Sequence, residues 1–338
     1  MLGRVMRLKR AGVVGLNCRN GDYIMKYNHR RFYPLVDDKV LCKKRLQEQG
    51  LAVPELIGIV RWMRQAAQID ELLRGNSEFV IKPAHGSGGD GILLITDRKS
   101  NYFVDSDGLL VQHADLEHHL TNVIGGLYSL GGQPDVAMIE SLVHFDPAFS
   151  DLTYHGVPDI RVIVYRGYPV MAMTRLPTRQ SHGKANLHRG AIGVGIDLGS
   201  GITVGGVSGN DPVSEHPDTG STIAGFRIPH WRRIVSMAAR CYEAVNLGYL
   251  GVDIVLDRVL GPLILELNAR PGLNIQIANR RGLCKRLDAV DKLGALGQTH
   301  EQRVAWACNA FGEPETDLLI PAPQGLQRSD LASVNRPW

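Results

Sequence analysis

The feature that most constrains the fold is a long apolar stretch near residue 260 that contains one turn. Residues 249–268 read YLGVDIVLDRVLGPLILELN, two runs rich in valine, isoleucine and leucine that flank a short segment ending at Gly261 and Pro262. Such runs separated by turn formers predict a β-hairpin. Residues 158–177, PDIRVIVYRGYPVMAMTRLP, show the same pattern with a turn at Gly167. The second half of the chain is therefore expected to form antiparallel sheet.

The later hairpin carries three oxygen-bearing side chains within its apolar strands. Alternate residues of a strand face the same side, so Glu266 and Asn268 share a face. Pairing of GVDIVLD with PLILELN brings Asp253 within cross-strand reach of them. Carboxylate and amide oxygens suit Mg²⁺, with Mn²⁺ as an alternative, and three such groups are costly to bury without a cation. The competing interpretation is a half-exposed strand whose polar face meets water, and the hairpin favours the metal site.

A second candidate site follows the strand EFVIKP, where residues 80–92 read VIKPAHGSGGDGI. Lys82 supplies a positive charge at the end of the strand. The glycines behind it let backbone N–H groups approach phosphate oxygens closely. This order differs from a Walker A loop, in which the lysine follows the glycines, and it is not a GxGxxG dinucleotide motif. An ordinary mobile turn is the alternative. The loop residues concerned are Gly86, Ser87, Gly88, Gly89 and Gly91.

The remaining pattern predicts an α+β chain without regular βαβ alternation. A helix is expected to begin at Asp37 or Asp38 and to end at Gly50, and residues 1–36 are basic and irregular in pattern. The other expected elements are helices at 61–75, 113–124 and 231–248, a short strand at 136–143, two short strands within 191–206, a polar loop at 208–222, and a tail at 284–338 with a helix near 299–311.

Composition narrows the classes of protein. The net charge of +4 is mildly basic and does not by itself indicate nucleic-acid binding. Five cysteines without a CxxC pair indicate a reduced, cytoplasmic protein without a disulfide framework. The first sixteen residues are too short and too interrupted for a signal peptide, and no apolar run has the length of a membrane span. Contact of this basic segment with a partner or a membrane surface stays open.

The order of the motifs resembles the ATP-grasp ligases. DDK, VIKPAHGSGGDGI, IESLV, DIRVIVYRG, TRLP, GKANLHRG, GVDIV and LELNARPG follow one another across residues 37–283. The chain is most similar to the RimK-like, alpha-L-glutamate ligase-like branch, which shares features with sugar-transfer-associated ATP-grasp proteins, and HPDTG at 216–220 fits that branch. The resemblance implies an ATP-grasp fold of two α+β lobes with ATP held between them.

The resemblance also implies a division of the chain and a role for each motif. Residues 1–36 would be a short N-terminal segment, 37–145 the small lobe with the glycine-rich loop and a hinge, 146–283 the large lobe with the Mg²⁺ site, and 284–338 a tail. Lys39 and Lys82 would hold ATP phosphates, together with Gly86, Ser87, Gly88 and Gly89. The other implied nucleotide contacts are Glu140, Leu142 and Val143 at the adenine, Asp159 or Asp146 at the ribose, and Lys184 and Asn186 near the phosphates.

The implied reaction is an ATP-dependent joining of a carboxylate to an amine through an acylphosphate, with glutamate or a similar amino acid added to a peptide, protein or small molecule. Asp253, Glu266 and Asn268 fall on the Mg²⁺ ligands of such enzymes, in agreement with the hairpin argument. The arginine fork suits carboxylates and phosphates. Arg175, Arg189 and Arg270 are the catalytic candidates, and Arg161, His188 and Arg189 are the candidates for substrate binding.

Two other functions remain open on the same scaffold, a kinase-like phosphotransferase and a non-catalytic ATP-binding partner protein. The second is disfavoured because both lysines and all three metal-ligand positions are present. Relatives usually carry a longer domain before DDK, which leaves the substrate open. Work beside a transglutaminase-like membrane protein is a further implication of the resemblance, and self-association into a homo-oligomer is left open.

Overall fold

The structure is a computed structural model that describes residues 2–73, 75–86, 88–294 and 297–313. The chain divides into two compact units. The small unit runs from Asp37 to His144, and the large unit combines the residues up to Val36 with those from Phe145 onward.

Thirteen strands form within the described residues. They are β1 Leu56–Val60, β2 Phe79–Pro83, β3 Leu93–Lys99, β4 Tyr102–Asp105, β5 Leu110–Val111, β6 Ala137–Glu140, β7 Asp159–Tyr165, β8 Tyr168–Leu176, β9 Ile192–Ile196, β10 Thr203–Ser208, β11 Asp211–Val213, β12 Tyr249–Asp257 and β13 Gly261–Asn268.

Twelve α-helical segments accompany these strands in the described residues. They are α1 Leu2–Arg10, α2 Leu16–Cys18, α3 Met25–Tyr27, α4 Pro34–Asp37, α5 Lys39–Glu48, α6 Met63–Ala67, α7 Ile69–Leu73, α8 His113–Ile124, α9 Trp231–Val245, α10 Ile275–Ala278, α11 Cys284–Lys292 and α12 His300–Phe311. A π-helical turn covers Arg19–Ile24, and short 3₁₀ turns cover Arg30–Phe32, Leu130–Gly132, Pro147–Leu152 and Leu187–Arg189.

The small unit is an antiparallel sheet covered by helices. Its strands follow the order β1-β6-β2-β3-β4-β5, and α6, α7 and α8 cover one face. The core between them includes Phe79, Ile81, Phe103, Leu116 and Leu120, all fully buried. Because β2 alternates buried and half-buried residues, one face of this strand packs against the helices and the other stays partly open.

Helix α5 of the small unit begins where its capping residue predicts. The carboxylate of Asp38 accepts hydrogen bonds from the backbone N–H groups of Val40 (2.8 Å) and Leu41 (3.0 Å). These groups have no partner within the helix itself, so the cap satisfies two of its free donors. The cap therefore fixes the position of Lys39, the first residue of the helix.

The large unit is built on a seven-stranded antiparallel sheet in the order β11-β10-β9-β8-β7-β12-β13. Both hairpins that the sequence predicts are present, β7 with β8 and β12 with β13. All residues of β7 and β12 are buried, which explains their nearly continuous apolar sequences. Helix α9 packs across this sheet with Ile234, Ala238 and Cys241, which recur at helical spacing.

Residues 2–36 contain several short helices, although their sequence is irregular in pattern. Glycines at 12, 15 and 21 interrupt the pattern in the sequence, and long-range hydrogen bonds join this segment to the rest of the large unit. The side-chain amide of Asn28 accepts from the backbone N–H of Tyr249 (2.8 Å) and donates to its carbonyl (2.7 Å). Gln276 makes the same pair of bonds with the backbone of Val14.

Three further differences concern short elements. The helix expected at 61–75 is two helices, α6 and α7, because Gln68 leaves helical geometry between them while Ala66 and Ile69 both reach the core. Strands β4 and β5 were not expected, since the polar turn at 105–109 that joins them obscures the alternation. The polar loop expected at 208–222 contains strand β11, an edge strand without an apolar signal.

Helices α11 and α12, which follow residue 283, pack on strand β8 of the large unit. Helix α12 is present where a helix was expected, and the hydroxyl of Thr299 caps it. This helix packs on β8 and α9. Among the helices of the described ranges, none combines the length and the apolar character needed to cross a membrane. The remainder of the tail, 314–338, lies outside the described residues.

Candidate functional site

The small unit contains a buried carboxylate between two lysines. Glu140 ends β6 and pairs in register with Val80 of β2, so Lys82 lies two residues farther along the neighbouring strand. The Glu140 carboxylate, 2% exposed, forms ion pairs with the ammonium groups of Lys82 and of Lys43, the latter at 2.5 Å. Lys43 also donates to the carbonyl of Pro54. Strands β2 and β6 and helix α5 thus each supply one residue of a charged cluster.

The charges in this cluster leave an excess of positive charge. Burial by itself would raise the pKa of Glu140, but the Lys82 and Lys43 ammonium groups outweigh burial and lower that pKa. Burial lowers the pKa of Lys43, and Glu140 opposes the change. Two ammonium groups against one carboxylate leave a net positive charge that suits an anion.

Lys43 was not among the predicted site residues, although its position in the sequence could have indicated it. It lies on the buried face of α5 between Cys42 and Leu46. A lysine on the apolar face of a helix is rarely buried without a charged partner. Helical periodicity could therefore have identified it. Leu142 and Val143 follow β6 and are half-buried, and their contact with adenine stays a prediction.

The glycine-rich loop after β2 is anchored at both ends. The Lys39 ammonium group donates to the carbonyl of Gly86 at 2.5 Å, and Gly86 forms a β-bridge with Ser129. At the far end Nε2 of the His119 ring donates a hydrogen bond to the carbonyl of Gly91 at 3.1 Å. A Cβ atom added at Gly91 would lie 2.5 Å from the Tyr128 ring, so this position requires glycine.

Several residues of the loop adopt backbone angles that glycine accommodates. Gly88, Gly89 and Gly91 have φ of 68°, 80° and 73°, the left-handed region that side chains disfavour. Successive N–H groups in such turns can line a concave anion site. Ser87, which was expected to contact phosphate, lies outside the described residues. Together with Lys39 and Lys82 the loop forms a cationic, glycine-lined segment of the small unit.

In the large unit the predicted pairing of polar residues is present. Asp253 on β12 lies directly opposite Glu266 on β13, and Gly251 lies opposite Asn268. A β-bulge follows Asp253, and bulges commonly re-aim side chains near functional sites. On its other side Asp253 pairs in register with Arg161 of β7. Residues far apart in sequence are therefore gathered on adjacent strands.

Two arginines hold Asp253. Arg161 binds its carboxylate through two bonds, Nε to Oδ1 at 2.7 Å and Nη2 to Oδ2 at 2.5 Å. Arg175 on β8 reaches the same carboxylate at 2.8 Å and also forms a two-pronged pair with Asp159. Asp253 is 1% exposed, so these bonds replace its water shell.

The pKa values in this cluster diverge because its charges are unequal. Burial alone would raise the pKa of Asp253, but Arg161 and Arg175 hold it well below its usual range. Burial raises the pKa of Asp159 to about 6, although Arg175 opposes the rise. Burial alone would lower the pKa of Arg175, but Asp159 and Asp253 raise it. Asp253 therefore stays ionised to a lower pH than Asp159 does.

The donor set fits a partial Mg²⁺ site. Within the described residues no three His, Cys, Asp or Glu side chains gather as a metal cage. Asp253 and Glu266 are paired across two strands, and the Asn268 amide oxygen accepts from the backbone N–H of Arg270 at 2.9 Å. Mg²⁺ is commonly held by one or two carboxylates plus substrate phosphates rather than by a complete protein cage. Asp253, Glu266 and Asn268 supply two carboxylates and an amide oxygen, and their role as Mg²⁺ ligands stays a prediction.

The remaining predicted residues lie in loops of the large unit. Lys184, Asn186, His188 and Arg189 share the loop between β8 and β9, where the Asn186 side chain caps a short 3₁₀ turn and His188 and Arg189 are exposed. Arg270 follows β13 and places its guanidinium 4.8 Å from the centre of the Tyr33 ring. Asp146 caps the 3₁₀ turn that begins at Pro147. Their roles stay predictions.

Comparison with known proteins identifies a family and several similar structures. A family model described as sugar-transfer associated ATP-grasp matches residues 18–292. No curated protein matches the sequence.

The solved structures are more distant. The ATP-grasp ligase PsnB complexed with minimal precursor is 14% identical with a TM-score of 0.44, over 80% of this chain and 63% of PsnB. D-alanine–D-alanine ligase from Bacillus anthracis is 15% identical with a TM-score of 0.38, over 82% of this chain and 69% of that one. D-cycloserine synthetase DcsG is 15% identical with a TM-score of 0.40, over 78% and 71%. The chain spans less than two thirds of PsnB, and likeness at these scores carries no conclusion about activity.

Proposed function

This chain belongs to the sugar-transfer associated ATP-grasp family, and we propose that it is an ATP-dependent ligase that joins a carboxylate to an amine. The observation that carries the proposal is the pairing of Asp253 with Glu266, with Asn268 beside them, because it provides oxygen ligands for the cation of a nucleotide. The amino acid we propose first is glutamate, added to a carboxyl group of a peptide, protein or small molecule.

Binding of the nucleotide would draw on the cationic segment of the small unit. Lys82 and Lys39 offer ammonium groups, and the loop at 86–91 offers backbone N–H groups for phosphate oxygens. Lys43 holds Glu140 ionised and in place, so that Lys82 is positioned by a fixed carboxylate. Adenine contacts at Glu140, Leu142 and Val143 and a ribose contact at Asp159 or Asp146 belong to the same proposal.

In the large unit Asp253, Glu266 and Asn268 would hold Mg²⁺. The ion would supply charge neutralisation to the phosphate oxygens that it contacts. Arg161 and Arg175 keep Asp253 ionised and fix the direction of its carboxylate. Arg175, Arg189 and Arg270 are the proposed cations for the transferring phosphoryl group, while Arg161, His188 and Arg189 are proposed for substrate. Lys184 and Asn186 complete the proposed phosphate contacts.

The proposed reaction has two steps. A substrate carboxylate oxygen attacks the γ-phosphorus of ATP, and ADP leaves. The amine nitrogen then attacks the acyl carbon of the acylphosphate, a proton leaves the nitrogen, and inorganic phosphate is released as the amide forms. Such phosphoryl transfer depends on positioning and on charge stabilisation rather than on covalent help from the protein. Fixed lysines and arginines supply both.

The test is ADP release from Mg²⁺-ATP with a panel of amino acids, glutamate first, and peptide carboxyl acceptors, with mass spectrometry of the products. An added residue of defined mass, lost in Lys82→Ala and retained in the exposed-lysine control Lys44→Ala, supports the ligase and names both substrates. A stable phosphorylated product in place of an amide would instead indicate a phosphotransferase. ATP binding without turnover on any pair contradicts the ligase and favours a non-catalytic partner protein.

The family resemblance also suggests a partner and a location. We propose a transglutaminase-like membrane protein as the partner and the cytoplasm as the location. Co-purification of the tagged chain with such a protein from cells, against a tagged unrelated protein as control, tests the first. Cell fractionation tests the second.

A further inference from the structure

His85 precedes the glycine-rich loop, and its imidazole lies between two carboxylates. Its Nδ1 atom is 2.7 Å from Oδ1 of Asp135, within hydrogen-bond distance. Its Nε2 atom is 3.9 Å from Oδ2 of Asp38, which is beyond hydrogen-bond distance. The His85 side chain is 47% exposed. One edge of the ring is therefore fixed to the protein, and the other edge is accessible.

Asp135 is built to orient this ring. Its side chain is fully buried. It accepts hydrogen bonds from the Ser129 hydroxyl (2.5 Å) and from the backbone N–H groups of Val136 (2.7 Å) and His85 (3.0 Å). Burial alone would raise the pKa of Asp135, but the bonds from Ser129 and His85 lower it. A fixed carboxylate acceptor at Nδ1 places the hydrogen on that nitrogen and directs Nε2 outward.

The backbone around His85 is equally constrained. The N–H of Ala84 donates to the carbonyl of Val136 at 2.9 Å, and the carbonyl of Gly86 accepts from the Lys39 ammonium group at 2.5 Å. His85 thus lies between two residues whose backbone is held by other segments. It directly precedes Gly86, whose carbonyl Lys39 contacts, and the loop at 86–91, where the proposed function places phosphate.

Anchoring the loop does not require an imidazole. Asp135 already receives the Ser129 hydroxyl and two backbone N–H groups, and the β-bridge between Gly86 and Ser129 holds the same strand of chain. A side chain with a single donor toward Asp135 would complete the anchor. The ring adds a second nitrogen, on the accessible side, next to a cationic loop.

We infer that His85, oriented by Asp135, contacts phosphate and donates a hydrogen bond from Nε2 to an oxygen of the nucleotide's phosphate chain. The inference rests on the proposed function, since it assigns a further residue to the nucleotide of that reaction. The carboxylates that face the imidazole are those of Asp135 and Asp38. The proposed contact uses a hydrogen on each ring nitrogen, one donated to Asp135 and one to the phosphate oxygen.

Two substitutions of the same residue separate a phosphate contact from a structural anchor. In His85→Asn the amide nitrogen replaces Nδ1 and can keep the bond to Asp135, but no group reaches the place of Nε2. In His85→Gln the amide nitrogen reaches the place of Nε2, but the bond to Asp135 is lost. His118→Asn, at an exposed histidine of α8, is the control for the loss of an imidazole in the small unit.

Isothermal titration of the full chain with Mg²⁺-ATP, Mg²⁺-ADP and AMP measures the effect. We expect His85→Asn to weaken binding of ATP and ADP roughly 10- to 100-fold, the range of a charge-assisted hydrogen bond, and to change AMP binding by less than about threefold. His85→Gln is expected to bind ATP more tightly than His85→Asn does. His118→Asn is expected to match the unsubstituted chain.

Each other outcome overturns the inference. Unchanged ATP affinity in His85→Asn, with weakened affinity in His85→Gln, would make His85 a loop anchor alone. An equal loss of affinity for ATP, ADP and AMP would mean that the substitution disturbs the fold of the small unit and not a phosphate contact. In both cases the proposed function is unaffected, because its test is the product of the reaction and not the affinity of these variants. Absence of ATP binding by the unsubstituted chain would overturn the proposed function and the inference together.

Discussion

At the residue scale, charges buried in pairs dominate the candidate sites. Glu140 has two lysine partners and Asp253 has two arginine partners, and each carboxylate is almost fully buried. Burying an ion pair brings little net stability, yet removing one partner leaves an uncompensated charge. Each lysine and arginine partner is therefore needed for stability, because without it the buried carboxylate would lose part of its compensating charge.

Lys43→Met tests this dependence in the small unit. The substitution keeps the buried stem and removes one of the two ammonium groups that Glu140 contacts. We expect a loss of about 1–3 kcal/mol in the free energy of unfolding, measured by urea denaturation. Lys44→Met, at the exposed neighbouring lysine, should change it by less than about 0.5 kcal/mol. Equal stability of the two variants would contradict the buried ion pair.

The same pair predicts a dependence on pH. The pKa of Glu140 is lowered in the folded chain from an ordinary value of 4.5. Its contribution to stability is therefore complete above pH 4.5 and is lost as pH falls through the lower, folded value. The difference in unfolding free energy between the unsubstituted chain and Lys43→Met should be largest near pH 7 and shrink below pH 4.5. A difference that grows on acidification would exclude the assigned pairing.

At the element scale, turns and strand pairing bring the chemistry together. The β12–β13 hairpin sets Asp253 against Glu266, and the glycine-rich loop joins β2 to β3. Hairpin register is decisive because a slip of one residue would move each side chain to the opposite face. The bulge after Asp253 changes the register locally while the apolar residues on either side stay buried.

Glu266→Ala tests the role of the hairpin. We expect ATP turnover to be abolished with the fold intact, because one of the two paired carboxylates proposed to hold Mg²⁺ is removed. Activity is measured as ADP release over a range of Mg²⁺ concentrations, and the fold by circular dichroism. Glu215→Ala, at an exposed glutamate, should retain turnover. Turnover retained in Glu266→Ala would exclude the metal assignment.

Gly91→Ala tests the glycine-rich loop. Its φ of 73° costs a non-glycine residue about 1–2 kcal/mol, and the new Cβ would also lie 2.5 Å from the Tyr128 ring. Gly108→Ala is the matched control, with φ of 81° and no atom within 4 Å of the new Cβ. Denaturation should show a larger loss of stability for Gly91→Ala than for Gly108→Ala. Equal losses would mean that the Tyr128 ring moves aside without cost.

At the scale of the whole molecule, the large unit is formed by two stretches of sequence that the small unit separates. The large unit begins with residues 1–36, is interrupted by the complete small unit, and resumes at Phe145. Asn28 and Gln276 join the early and late parts of this unit through buried hydrogen bonds between their side-chain amides and the backbone. The early segment is thus an integral part of the large unit.

Asn28→Ala tests that integration. The substitution leaves the N–H and carbonyl groups of Tyr249 without their side-chain partner inside the protein. We expect a loss of about 1–3 kcal/mol in the free energy of unfolding, measured by urea denaturation. Asn17→Ala, at an exposed asparagine of α2, should change it by less than about 0.5 kcal/mol. If Asn28→Ala leaves the free energy of unfolding unchanged, the bonds between the early segment and Tyr249 do not stabilise the large unit.

Local patterns in the sequence determined the hairpins, the capped helix α5, helices α8, α9 and α12, and the face shared by Glu266 and Asn268. Each depends on residues within about 20 positions of one another, where spacing and turn formers set the geometry. The motif order was enough to identify the family as well.

Only the tertiary structure decided which distant groups meet. Lys43 meets Glu140, Asn28 meets Tyr249, and His85 meets Asp135, at separations of about 50 to 220 residues. Spacing along a chain carries no information about such partners, because they depend on the order of strands in a sheet and on the segments that pack beside it. For the same reason α3 was not predicted from the sequence, because hydrogen bonds of Tyr27 with Gly248 and Asp291 hold a helix that is too short to form alone.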